Sequence, residues 1–178
     1  MELPEFPEQF HPEMSLGLRI ALMHFVIREI RTDFMNRIPE IKNEIMQNNK
    51  DIDGVDAFLF ASNQISKRTS PYEKFIREKE LQMSATLQNA NNLEKAGQLE
   101  GAIHLFEKLA NDGYTAPMPH ERLRIIYTKQ HEYEKAINAC KRYISILQAF
   151  HQFDPKFSNI HLIPRLENSI AKLSAKTK

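Results

Sequence analysis

Apolar side chains recur at three- and four-residue steps along most of this chain. Leu18, Leu22, Phe25, Val26, Ile30, Phe34 and Ile38 follow one another at helical spacing. Met14 to Ile38 therefore reads as one long helix, with Ser15 as N-cap and Pro39 as its stop. Leu16, Ile20, Met23 and Ile27 add a second apolar face, which predicts a helix covered on two sides by another layer or another chain. Beyond Pro39, Ile41, Ile45 and Met46 suggest a short helix ended by the polar turn from Asn48 to Gly54. Val55 to Ile65 is compatible with helix or strand; helix is preferred because no partner strand is evident elsewhere. Ser70-Pro71 then reads as an N-cap followed by proline at the first helical position. It opens a glycine-free helix to Ala96 that carries Tyr72, Phe75, Ile76, Leu81, Leu87, Ala90 and Leu93.

The strongest pattern is an internal repeat. The eleven residues from Leu93 to Ile103 match those from Tyr127 to Ile137 at an offset of 34, with Lys95/Lys129, Glu100/Glu134, Ala102/Ala136 and Ile103/Ile137 identical. Gly97 supplies a left-handed turn between two helices. Ala102 and Ala136 are small enough for helices to cross closely, and Phe106, Leu109, Cys140 and Tyr143 continue the buried faces. After Phe150, Asp154-Pro155 breaks the chain, and Pro164 to Lys176 reads as a polar terminal helix of the kind that closes a repeat array.

A 34-residue helix-turn-helix period resembles the tetratricopeptide repeat (TPR) family over about residues 83–150, as two repeats of which the second diverges. His131 stands where the family places its turn glycine, Arg124 where a small residue is usual, and Cys140 where an aromatic is common. The resemblance implies helices at roughly 83–96, 99–111, 118–129 and 133–150. It also implies a groove lined by the first helix of each repeat. That groove would carry Leu87, Asn91, Glu94 and Lys95, then Glu121, Ile125, Thr128 and Lys129, and would receive an extended or helical peptide. Asn91, Lys95 and Lys129 would offer one amide and two cations to a backbone or carboxylate. Family members that clamp a C-terminal carboxylate use a lysine one turn before that asparagine, where this chain has Leu87.

The expected fold is thus all-α, with an acidic proline-rich leader at 1–13, an N-terminal helical region at 14–70 and a TPR-like region at 71–178. Only five glycines among 178 residues agree with a chain that is nearly all helix. The single Cys140 excludes an internal disulfide framework. The leader is the opposite of a basic segment followed by an apolar run, and Leu16 to Ile30 is interrupted by Arg19, His24 and Arg28. A cytoplasmic protein with no membrane association is expected.

The net charge of +1 hides an uneven distribution. Residues 1–70 hold 8 basic and 11 acidic groups, whereas from Lys135 onward there are 8 basic and 2 acidic. A basic C-terminal half could meet nucleic-acid phosphates, although no reading motif accompanies it.

Catalytic chemistry is not evident. The seven histidines include no pair at zinc-hydrolase spacing. Asn49-x-Asp51-x-Asp53-Gly54 copies the first half of a calcium loop, but Phe60 stands where the closing glutamate belongs. No phosphate-binding glycine loop or nucleophile elbow is present, and Cys140 falls at a packing position. The expectation is a non-enzymatic module with no cofactor and no metal that binds a protein or peptide. Self-association through the N-terminal helix and nucleic-acid binding are the alternatives.

Overall fold

The computed structural model describes residues 3–49, 51–156 and 158–177. Lys50 of the polar turn and the first two residues of the leader lie outside the described residues. Among those described there are six α-helices and no strand, as expected. They are α1 (Leu16–Asn48), α2 (Gly54–Lys95), α3 (Leu99–Asn111), α4 (Met118–Lys129), α5 (Tyr133–Phe153) and α6 (Ile163–Ser174), with short 3₁₀ turns at Pro7–Gln9 and Ile160–Leu162. The segment 55–65, open between helix and strand by periodicity alone, is helical.

Two expected helix ends are corrected. Pro39 does not stop α1, and Ser70-Pro71 does not begin a helix, because both prolines lie inside continuous helices. Each proline removes one N–H and crowds the carbonyl four residues earlier, a cost of about 3 kcal/mol. Both are exposed, so water can satisfy the released carbonyls. Buried apolar residues hold the helix near each proline, with Phe34 before Pro39 on α1, and Ala61 before and Tyr72, Phe75 and Ile76 after Pro71 on α2. The separate short helix expected after Pro39 is the end of α1. The real break is the turn at 49–53. There Asp53 Oδ1 accepts the N–H groups of Val55 and Asp56 at 2.8 and 2.9 Å. Asp53 is therefore the N-cap of α2, a role that explains the aspartate without any ion.

The chain divides into two compact units, Met1–Phe10 with Met23–Glu78, and His11–Leu22 with Lys79–Lys178. In the first, α1 and α2 form a helical hairpin. Arg31 pairs with Glu73 at 2.5 Å, and the rings of Phe34 and Phe58 lie 6.5 Å apart. The leader packs on this hairpin: Phe10 is buried with its ring edge-on to Tyr72, and the Tyr72 hydroxyl donates to the Pro4 carbonyl.

In the second unit α3, α4, α5 and α6 pack in sequence. One apolar core joins Ala90, Ala102, Phe106, Leu123, Ile126, Tyr127, Ala136 and Ile137; another joins Cys140, Tyr143, Leu147 and Leu166, with Leu18 against it. Ser15 is not the helix cap expected. Its Oγ is buried without a partner, while the Gly17 N–H donates instead to the backbone carbonyl of Asp112 at 2.6 Å. This approach needs glycine on both sides. A Cβ on Gly17 would lie 3.0 Å from Tyr114 N and collide with the Gly113 carbonyl, and one on Gly113 would lie 2.8 Å from Ser15 Cβ. Of the second apolar face of α1, expected to be covered by another layer or another chain, Ile20, Met23 and Ile27 are buried within this chain.

The 34-residue period is written in the backbone. Gly97 and His131 both adopt left-handed conformations, at φ 76° and 61°. Gln98 N–H donates to Leu93 O and Glu132 N–H to Tyr127 O, each at 2.9 Å. Gly97 N–H meets Glu94 O at 3.0 Å, and His131 N–H meets Thr128 O at 3.2 Å. Both turns are the paired-bond helix stop in which the left-handed residue frees the chain to reverse. The divergent second repeat thus keeps the turn while losing its glycine.

Candidate functional site

A groove of about 550 Å³ runs between the last turns of α2 and the first turns of α4, lined by Asn91, Glu94, Lys95, Met118 and Arg122. The period positions these residues. The left-handed stop at Gly97 ends α2 just after Lys95, and Pro117 and Pro119 start α4 beside it. Arg122 holds the two walls together, as its Nε donates to Glu94 Oε2 at 2.8 Å and its Nη2 to the other carboxylate oxygen. The bond to Glu94 raises the Arg122 pKa, so the guanidinium is firmly cationic. Asn91 Nδ2 approaches the Met118 sulfur at 3.5 Å. Met118 is nonetheless 45% exposed and gives the groove an accessible apolar lip.

Of the eight residues expected to line a binding groove, Asn91, Glu94 and Lys95 line this one. Leu87 packs against the core beside Ala90, so its side chain serves folding. Glu121 pairs with Arg165 of α6 at 3.2 Å, which ties α4 to the terminal helix. Ile125 is half-buried and Lys129 exposed at the end of α4, but neither joins the lining of the groove. Sequence reasoning missed Arg122 and Met118. The charge signal for Arg122 was its acidic partner Glu94, but 28 residues separate the two.

Behind the groove, α3, α4 and α5 share a polar cluster. Tyr127 OH donates to Glu107 Oε1 at 2.9 Å, and Arg142 Nη1 reaches Glu107 Oε2 at 2.8 Å and Asn111 Oδ1 at 2.7 Å. Nearby, His120 is 2% exposed and stacks on Tyr143 with ring centres 4.3 Å apart. Its Nε2 donates to the Tyr114 carbonyl at 2.9 Å, and its buried Nδ1 has no partner. Desolvation pushes its pKa down to about 4, against a small upward pull from the Tyr114 bond, so the ring is neutral at physiological pH. Glu107, Tyr127 and Arg142 thus bridge α3, α4 and α5, while His120 is enclosed beside Tyr143.

Burial likewise raises the Cys140 thiol pKa, which suits a packing side chain rather than a nucleophile. Among the described residues, no group of three or more His, Cys, Asp or Glu side chains could hold a metal ion. Nor is any described helix long and apolar enough to cross a membrane. The chain matches no protein-family model, no curated protein and no solved structure.

Proposed function

We propose that this chain is a non-catalytic protein-interaction module, an adaptor or assembly factor of the cytoplasm, whose α2–α4 groove receives a segment of a protein partner. The observation that carries the reading is the groove itself. It offers an exposed thioether, an amide and an ammonium with no ion pair among the described residues, around the mutually neutralised Glu94 and Arg122. Apolar contact with a few placed polar groups is the usual chemistry of peptide capture. A TPR-like arrangement of residues 83–150 is part of the proposal, supported by the recurrence of the same turn at residues 97 and 131.

The basic C-terminal half favours this reading over phosphate binding. Lys135 and Arg165 are ion-paired with Glu132 and Glu121, Arg142 with Glu107, and Lys176 lies over the Tyr133 ring. Four of the eight cations from Lys135 onward thus lie against side chains of the same chain. The test is crosslinking and affinity capture from the native host with the wild-type chain and a Lys95→Glu, Met118→Glu variant, both changes lying in the groove. Loss of one or more captured proteins is expected. Retention of every partner by a folded variant rejects the groove as the binding site.

A further inference from the structure

The α1–α2 hairpin of the first unit carries an apolar feature that its own chain leaves open. Leu59 and Val55 stand on one stripe of α2 at 51% and 66% exposure. Beside them, a groove of about 320 Å³ lies between the two helices, lined by Phe34 and Met35 of α1, by Arg31, whose charge is paired with Glu73, and by Phe58, Ser62, Ile65 and Ser66 of α2. Large side chains therefore project at one end of the stripe. Small ones, Ser62 and Ser66, leave room in its middle. Met35 on the rim is 61% exposed, so the groove opens to solvent.

Charge follows the same polarity. Asp56 and Lys67 sit on the edge of the stripe away from α1, eleven residues or about 16 Å apart along the helix. Both are exposed, and neither side chain is ion-paired within the described residues. Their midpoint falls at Ala61–Ser62. A helix with an acid at one end of an interface, a base at the other and its small residue in the centre is self-complementary under a two-fold rotation.

We infer that the chain forms an antiparallel two-fold dimer through α2, with its axis near Ser62. Leu59 of each copy enters the 320 Å³ groove of the other. Asp56 of each copy faces the partner's Lys67 on the outer edge. The occupant of this groove is thus a second copy of the chain. The surface is separate from the α2–α4 groove, and the inference does not rest on the function proposed for that groove.

The full-length chain is tested by analytical ultracentrifugation at concentrations up to about 1 mM, where even weak association registers. A concentration-dependent dimer is expected. Leu59→Lys, which places a second cation beside the partner's Arg31 without touching the core, should weaken it at least tenfold. Asp56→Lys and Lys67→Asp should each weaken it about fivefold, and the double variant should restore it to within about twofold. Ser62→Cys should give an intermolecular disulfide on oxidation, because the axis brings its two copies together. Gln64→Cys, on the opposite side of α2, should not. A monomer of 20.8 kDa throughout overturns the inference. So does a dimer that ignores Leu59→Lys, one not rescued by the charge swap, or one that crosslinks through Gln64→Cys.

Discussion

Two glycines in the second unit share one backbone conformation but have opposite surroundings, which makes them a matched pair of probes. Gly97 and Gly113 adopt φ 76° and 74°. Replacing either with alanine therefore carries the same left-handed penalty, about 1 kcal/mol. At Gly97 that is the whole cost, because no atom lies within 4 Å of the added methyl. At Gly113 the methyl would strike Ser15, 2.8 Å from its Cβ. The start of α1 must then retreat. Retreat breaks the 2.6 Å bond from Gly17 N–H to Asp112 O and uncovers Leu18 from the core below it. A lost buried hydrogen bond costs about 1 kcal/mol and an exposed leucine about 1–2 kcal/mol more. Gly113→Ala should therefore lose about 3–4 kcal/mol in all, against about 1 kcal/mol for Gly97→Ala. Urea titration followed through amide signals of Phe106 and Tyr143 reads the stability of this unit directly. With a slope of about 2 kcal/mol per molar urea, the midpoints should fall by about 0.5 M for Gly97→Ala and about 1.5–2 M for Gly113→Ala. The Gly17 amide should also lose its hydrogen-exchange protection in Gly113→Ala alone. If the two variants fall within about 0.5 kcal/mol of each other, the docking of α1 on this loop contributes nothing and the reasoning fails.

Three further outcomes follow from the same unit. His131 holds a left-handed backbone that glycine tolerates better, and its side chain makes an exposed hydrogen bond with Tyr133 OH at 2.8 Å; His131→Gly should raise stability by about 0.5 kcal/mol in the same titration. His120 has its pKa lowered to about 4, so the fold favours the neutral ring: its contribution is complete above the unfolded value near 6.5 and is lost as pH falls toward 4. Between pH 7 and pH 5 that loss should be about 2 kcal/mol, and His120→Leu should flatten this part of the stability profile; an unchanged slope would show that His120 titrates normally. Cys140 is 1% exposed with its thiol pKa raised, so a thiol reagent should modify it only at the rate at which the second unit opens.

The end of α2 and the helices from 99 to 153 were legible because local signals agree there, whereas the helix start near 83 implied by the resemblance lies inside α2. Gly97 stops one helix, and Pro117 and Pro119 start another. Ala102 and Ala136 mark close crossings 34 residues apart. The continuity of α1 and α2 was not legible. A proline announces its cost locally, but burial of Phe34, Tyr72 and Ile76 on either side depends on distant partners. The same distance hid the bidentate pair of Glu94 and Arg122, and with it half of the groove. Leu87 shows the converse error, since its period position is right but the core claims its side chain. His120 could have been read from its sequence, because Leu123 and Tyr127 follow it at helical spacing on the same buried face.

The contact of Gly17 with Asp112 sets an order on the birth of the molecule. A ribosome that extends the chain by roughly 5–20 residues per second makes the first partner some 5–20 s before the second. Through that interval Leu18, Ile20 and Leu22 are synthesised and waiting, while the loop that seats the start of α1 does not yet exist. The native resting place of the N-terminal segment is thus a late acquisition. The nascent chain carries an uncovered apolar stripe for seconds, long enough for a chaperone to recognise it.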